Sequence, residues 1–260
     1  MYTISQAAEL IAKARQDRVA LSPLPPHLRP LDLSTAYAIQ DCVHLLLAPR
    51  HGDLAGYKIG CTSKVMQDYL AVYEPCSGGI PATLVHGTGD TLRFDDYLRV
   101  GVECEIAIRL GNDLVPSSSC FSRLEVGKAI EQAMPAIEIV DDRYVRWEDL
   151  GAPTLIADDF FAAGVVLGAP IPATAIDLLQ VHGRALVNGA EVGRGTGADV
   201  LEHPLEALAW LANDLASRDQ YLRRGQIVMT GSMVRTVWLE RGDTVRMDFT
   251  GLGTVEVAFR

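Results

Sequence analysis

The stretch VGVECEIAIRL, Val100 to Leu110, alternates along its whole length between apolar side chains and a second, mixed set. Successive side chains of a strand point to opposite faces. Val100, Val102, Cys104, Ile106, Ile108 and Leu110 therefore share one face, and Gly101, Glu103, Glu105, Ala107 and Arg109 the other. As a helix the same residues would spread both sets around the circumference. Outward from this strand the pattern recurs. AIEIV (136–140) sets Ile137 and Ile139 against Ala136, Glu138 and Val140. AGVVLG (163–168) reads as a short all-apolar strand, and ALVNGAEV (185–192) as a hairpin with Asn188-Gly189 supplying the two positive-φ residues of its turn. The tail, Gln226 to Phe259, reads as several short strands between Gly turns.

The first 70 residues follow a helical period instead. Thr3 with Gln6 predicts a capping box, opening a helix that carries Leu10, Ile11 and Ala14 and ends near Arg18. SPLPPHLRP (22–30) stays extended because each Pro fixes its own φ and restricts the residue before it. Ser34 is the expected cap of a second helix with the stripe Ala36, Ile39, Val43 and Leu46/Leu47, ending before Gly52. Ser63 before KVMQDYL suggests a short third helix. Ser122 with Glu125 predicts another, with Val126, Ala129, Ile130 and Ala133 inward and Pro135 as its stop. Pro204 suits the first turn of a helix carrying Leu205, Leu208, Leu211 and Leu215. The period changes from 3.6 to 2 near residue 80, a soft boundary between helical and strand-rich parts. The fold class expected is α+β with mixed sheet.

With 260 residues and 48% hydrophobic content, the chain can bury a core without disulfides. Its net charge of -10, with no Lys/Arg run, disfavours nucleic acid and anionic membrane as partners. No apolar run approaches the roughly 18 residues a bilayer span requires. Five cysteines without a CxxC pair fit a reducing cytoplasm better than a disulfide framework or zinc-thiolate site. GRGTG (193–197) lacks the strand-to-helix context of a phosphate loop. The six histidines, His86 and His203 among them, show no ligand spacing and read as surface or capping groups.

Glu103 and Glu105 stand two apart on one strand face, so their Cβ atoms lie roughly 7 Å apart, within reach of one ion. For that pair alone a solvated strand face is the commoner reading, because Glu is usually exposed. Glu138 differs, because it interrupts an apolar strand in which an unpartnered carboxylate is costly. Three carboxylates without His or Cys select a hard ion such as Mg²⁺ or Mn²⁺ over zinc. Such an ion keeps open positions that the carboxylate and keto oxygens of a 2-oxo acid can fill.

GYKIGCTS (56–63), ECEIAIRLGNDL (103–114), MPAIEIVDDR (134–143), GRGTGADVLEHPLEALAWLAN (193–213), IVMTGSM (227–233) and GLGTVEVAF (251–259) together resemble the 2-oxopent-4-enoate hydratase and 4-oxalocrotonate decarboxylase family, within the fumarylacetoacetase-like superfamily. The likeness runs in order over nearly the whole chain. It implies a mixed β-roll of residues 80–260 preceded by an N-terminal helical segment and lid over 1–79. It implies Mg²⁺ (or Mn²⁺) held by Glu103, Glu105 and Glu138, with Lys58 and Ser232 catalytic. Lys58, Gly60, Asp159, Phe160 and Ser232 would contact substrate, with desolvation lowering the Lys58 pKa toward proton-transfer range. It further implies homo-oligomeric assembly and association with an enzyme of the same pathway.

The activity implied is a lyase of aromatic-compound catabolism, adding water to a 2-hydroxy-2,4-dienoate (2-oxo-4-enoate) to give a 4-hydroxy-2-oxo acid. A vinylogous decarboxylase, an acylpyruvate-type C–C hydrolase and a non-catalytic accessory subunit are the alternatives. Residues 62–80 contain no His for a water-activating pair, which counts against the hydrolase. This chain departs from the family at Asp159, Phe160, Phe161 and Ala162, where a small Asn/Ala/Ser/Ser stretch is common. EPCSGGI (74–80) departs as well, so no proton-shuttling residue carries over from there.

Overall fold

In the computed structural model, which describes residues 2–62, 67–68, 70 and 72–260, the alternation of Val100–Leu110 decides the architecture. Val102, Cys104, Ile106, Ile108 and Leu110 are fully buried in one core. The opposite face carries Glu103, Glu105 and Ala107. Each buried aliphatic side chain contributes roughly 1.5–3 kcal/mol. A slip of one residue would exchange five of them for two carboxylates, so the register is strongly fixed.

The strands in chain order are β1 (Leu54–Gly60), β2 (Cys76–Pro81), β3 (Val85–Gly87), β4 (Thr91–Leu92), β5 (Val100–Leu110), β6 (Ile130–Asp141), β7 (Ala162–Leu167) and β8 (Ile171–Pro172). They continue as β9 (His182–Val187), β10 (Ala190–Thr196), β11 (Ile227–Ser232), β12 (Val237–Trp238), β13 (Thr244–Phe249) and β14 (Gly253–Phe259). The helices are α1 (Tyr2–Asp17), α2 (Leu33–His51), α3 (Arg123–Gly127), α4 (Ala152–Ala157) and α5 (Pro204–Ser217). The larger sheet runs β2-β1-β11-β5-β6-β7-β3, with β12 on β5 and β8 on β6. Its β1–β11 and β3–β7 pairs are parallel and the others antiparallel. It curls until Gly79–Pro81 and Ala162–Val165 line one small cavity, giving an α+β fold with a mixed β-roll. A second sheet, β10-β9-β13-β14-β4, and α5 cover the outer face of β5. Helices α1, α2 and α4 form a separate core with Cys61, Cys76 and Phe160. No helix among the described residues is long and apolar enough to cross a membrane.

Several local expectations hold. Helix α1 ends just before Arg18, which adopts φ 53°. The Asn188-Gly189 turn joins β9 to β10 with both residues at positive φ. Others are corrected. Asp32, not Ser34, caps α2, its Oδ1 accepting from the Thr35 N–H at 2.7 Å. The Ser122–Glu125 capping box is present, but α3 stops at Gly127, and Ile130 and Ala133 belong to β6. Pro135 lies inside that strand instead of ending a helix. It is tolerated because its carbonyl accepts from Gly168 N–H, placing its missing donor on the side where pairing passes from β7 to β8. The strand-rich part begins at Leu54, and residue 80 falls within β2. β1 is too glycine-rich to show alternation: Gly56, Lys58 and Gly60 take one face, and a Cβ on Gly56 would stand 1.9 Å from the Ile227 carbonyl oxygen. The helix expected from Ser63, with Val65 and Met66, lies largely outside the described residues.

Candidate active site

The antiparallel β5–β6 ladder sets Glu103 directly opposite Glu138, and Glu105 lies two residues along the same face. One carboxylate oxygen from each of the three falls within 4.8 Å of the others. Glu105 and Glu138 are completely buried, while Glu103 keeps a partly exposed edge. Oε2 of Glu105 accepts the Gly231 N–H at 2.9 Å, and the Thr236 hydroxyl donates to Glu103. Among the described residues, Glu105 Oε1 and both Glu138 oxygens have no hydrogen-bond donor. Burial raises the Glu103 pKa to about 7, with Glu138 adding to the shift. Burial, then Glu138 and Glu103, push Glu105 well above the usual carboxylate range. Three oxygens without donors and mutual repulsion among the carboxylates fit an all-oxygen site for a hard dication.

Lys58 projects from β1 into the same space. Its ammonium donates to the Phe160 carbonyl at 2.8 Å and lies 3.2 Å from Glu138 Oε1. Burial alone would lower its pKa. Glu138 and Glu103 outweigh burial and hold it above the ordinary lysine range. The lowered pKa expected of this lysine belongs to a site that also holds a cation, whereas this direction reflects the carboxylates alone. Gly60 leaves the ammonium room, since a Cβ there would stand 3.3 Å from both Lys58 Nζ and the Phe160 ring. That ring sits 5.3 Å from the ammonium in cation–π contact.

These observations agree with the comparisons. Residues 70–260, more than half of the chain, match the fumarylacetoacetate (FAA) hydrolase C-terminal domain. The chain belongs to the fumarylacetoacetate hydrolase family. It is 35% identical to the TodF product hydratase of Pseudomonas putida F1, across 98% of this chain and 95% of that protein. It is 33% identical to a 2-keto-4-pentenoate hydratase of Paraburkholderia phymatum, across 98% and 97%. The 4-oxalocrotonate decarboxylase of Pseudomonas putida G7, solved with magnesium and adipate, superposes with a TM-score of 0.93 at 25% identity, covering 99% and 97%.

Two expected substrate contacts differ in this member of the fumarylacetoacetate hydrolase family. Asp159 is fully buried, and its carboxylate accepts from Gly79 N–H (2.8 Å), His44 Nε2 (2.7 Å) and Arg15 Nη2 (2.9 Å). Burial would raise its pKa, but His44 and Arg15 prevail and hold it well below the usual range. It therefore acts as an anchor and has no oxygen free for substrate. Asp159, Phe160 and Phe161 form three successive left-handed residues at φ 55°, 49° and 69°. That region costs roughly 1–2 kcal/mol per residue for side chains bearing a Cβ, and the anchor offsets the cost. Ser232 stands opposite Glu105 in register, but its hydroxyl donates to the Val234 carbonyl at 2.5 Å as a strand-end turn. The neighbouring Gly231 N–H, not the Ser232 hydroxyl, reaches Glu105.

Sequence reasoning missed Arg15, His44, Arg143, Asp158 and Thr236. Asp158 pairs with both Arg15 and Arg143 in the buried interior. A signal existed: Asp158-Asp159 interrupts an apolar run just as Glu138 does. His203 caps α5 as expected, its Nδ1 accepting from Leu205 N–H, whereas His44 is a partly buried partner of Asp159.

Proposed function

We propose that this chain is a divalent-metal-dependent hydratase that adds water to a 2-hydroxy-2,4-dienoate, through its 2-oxo-4-enoate tautomer, to give a 4-hydroxy-2-oxo acid. The observation that carries the reading is the convergence of three carboxylates, with three donorless oxygens on Glu105 and Glu138, beside a buried lysine, in a chain that aligns end to end with hydratases. Glu103, Glu105 and Glu138 hold the ion, and their oxygen-only set favours Mg²⁺ or Mn²⁺. When bound, that cation supplies Lewis acidity toward a 2-oxo oxygen.

The chain's own residues do the rest. An ammonium has three donors. One is given to the Phe160 carbonyl and Glu138 lies beside another, which leaves one for a carboxylate or enolate oxygen of the substrate. Held in a water-poor site, that charge stabilises the enolate without reorganising at the moment of reaction. Gly60 keeps the approach open, and Phe160 supplies an apolar wall. Assembly into a homo-oligomer, and a place downstream of aromatic-ring cleavage, belong to the same reading.

Loss of the dienoate absorbance of 2-hydroxypenta-2,4-dienoate tests this, with Mg²⁺ and with chelator, while the product is identified as 4-hydroxy-2-oxopentanoate. Metal-dependent hydration is the expected result. Carbon dioxide release from 4-oxalocrotonate without hydration would move the assignment to decarboxylation. Binding without turnover would make the chain an accessory subunit.

The raised Glu103 pKa adds a pH dependence. In chelated protein, folding holds on Glu103 a proton that the unfolded chain releases near the ordinary value of 4.5. That contribution is complete below about pH 4.5 and is lost as pH rises through about 7. A dication binds the ionised carboxylates. The rise in melting temperature produced by Mn²⁺ is therefore expected to be larger at pH 8 than at pH 6; equal shifts would contradict the site.

A further inference from the structure

Lys58 and Glu138, only 4% and 1% exposed, approach to 3.2 Å without forming an aligned hydrogen bond. The ammonium is directed at the Phe160 carbonyl instead. This is an unusual preference, because a charge-assisted bond to carboxylate is roughly twice as strong as one to a neutral acceptor. The carbonyl can compete only if it is held in place.

The means of holding it lies behind the left-handed turn. Asp159 is fixed by Arg15 from α1, His44 from α2 and the Gly79 N–H from β2. Carboxylates accept only, so His44 presents its Nε2–H to Asp159. Arg15 and Arg143 also donate to the Asp158 carbonyl, at 2.6 and 2.5 Å. The residue that offers its carbonyl to Lys58 is thus clamped at its N-terminal side by donors from α1, α2 and β2 and by Arg143. Released from them, residues 159–161 would relax toward negative φ and the carbonyl would turn away.

We infer that Arg15 and His44 are positioning residues which, through Asp159, keep the Phe160 carbonyl on the Lys58 ammonium and so leave Glu138 available to a divalent cation. The inference rests on the cation site proposed above. Without the clamp the ammonium closes on Glu138 and competes with the cation for that carboxylate. A clamp that merely stabilised the fold would affect cation binding whether or not Lys58 was present.

Titration calorimetry with Mn²⁺ and no substrate separates these cases, using wild type, His44→Leu, Asp159→Ala, and each variant combined with Lys58→Met. Melting curves show which variants are folded, and either clamp variant suffices. Mn²⁺ binding is expected to weaken on the order of tenfold in the clamp variants and to return to wild-type strength or better once Lys58→Met is added. Unchanged affinity in a folded clamp variant overturns the inference, as does a weakening that Lys58→Met leaves in place. A wild-type protein that binds no Mn²⁺ overturns the cation site itself and the inference with it, and that failure shows in the wild-type arm alone.

Discussion

Glu105→Gln is expected to abolish cation-dependent turnover while leaving the chelated protein at least as stable as wild type. Glu105 is fully buried, with one oxygen on the Gly231 N–H and the other without a donor. Gln keeps the shape and retains an oxygen for Gly231, but removes a negative charge that burial and its neighbours already oppose. In chelator the melting temperature should therefore hold or rise, and the stabilisation by added Mn²⁺ should disappear. Polarisation of a substrate oxygen by a cation accounts for several kcal/mol of transition-state stabilisation. At about 1.36 kcal/mol per tenfold, kcat/KM should fall by roughly 10³ or more. Wild-type turnover in this variant would remove the carboxylate triad from the mechanism.

Lys58→Met separates the ammonium from the cation. Met fills a similar volume without charge, so the triad loses its competitor and cation binding persists. A positioned donor that manages protons or enolate charge contributes typically 10²–10⁴-fold, and kcat should fall within that range. Lys58→Arg should not restore it. The planar guanidinium is larger, and the space beside Gly60 already holds Lys58 Nζ and the Phe160 ring at 3.3 Å from a Cβ placed there. Steady-state kinetics together with Mn²⁺ calorimetry checks both halves. Activity within a few-fold of wild type would show Lys58 to be a bystander.

The two experiments bear on residues that differ in how far they were legible beforehand. Glu103 and Glu105 fell on one face because alternation fixes the face once a strand is granted, and Glu138 stood out as a charge inside an apolar strand. Lys58 had no such signal. Its strand, LAGYKIG, carries three small residues, so neither period shows, and only the family likeness singled it out. Pro135 misled for a related reason. A proline ends a helix by local sterics, but whether a strand tolerates it depends on which neighbour its missing N–H would have faced. Asp159 was noticed as a departure and given the wrong partner, since its contacts come from Arg15 and His44, 144 and 115 residues away in sequence.

Sequence alone determined what short-range rules determine: the periods, the faces, the Asn188-Gly189 turn and the identity of three acidic ligand candidates. Each depends on residues a few positions apart, where backbone geometry leaves little choice. Tertiary structure decided the rest: the register that sets Glu103 against Glu138, the curl that brings β1 and Lys58 to them, and the clamp that bends residues 159–161 into a left-handed turn. These arrangements come from burying charge and apolar surface between distant segments. The energies involved exceed local preference, so the local sequence does not record them.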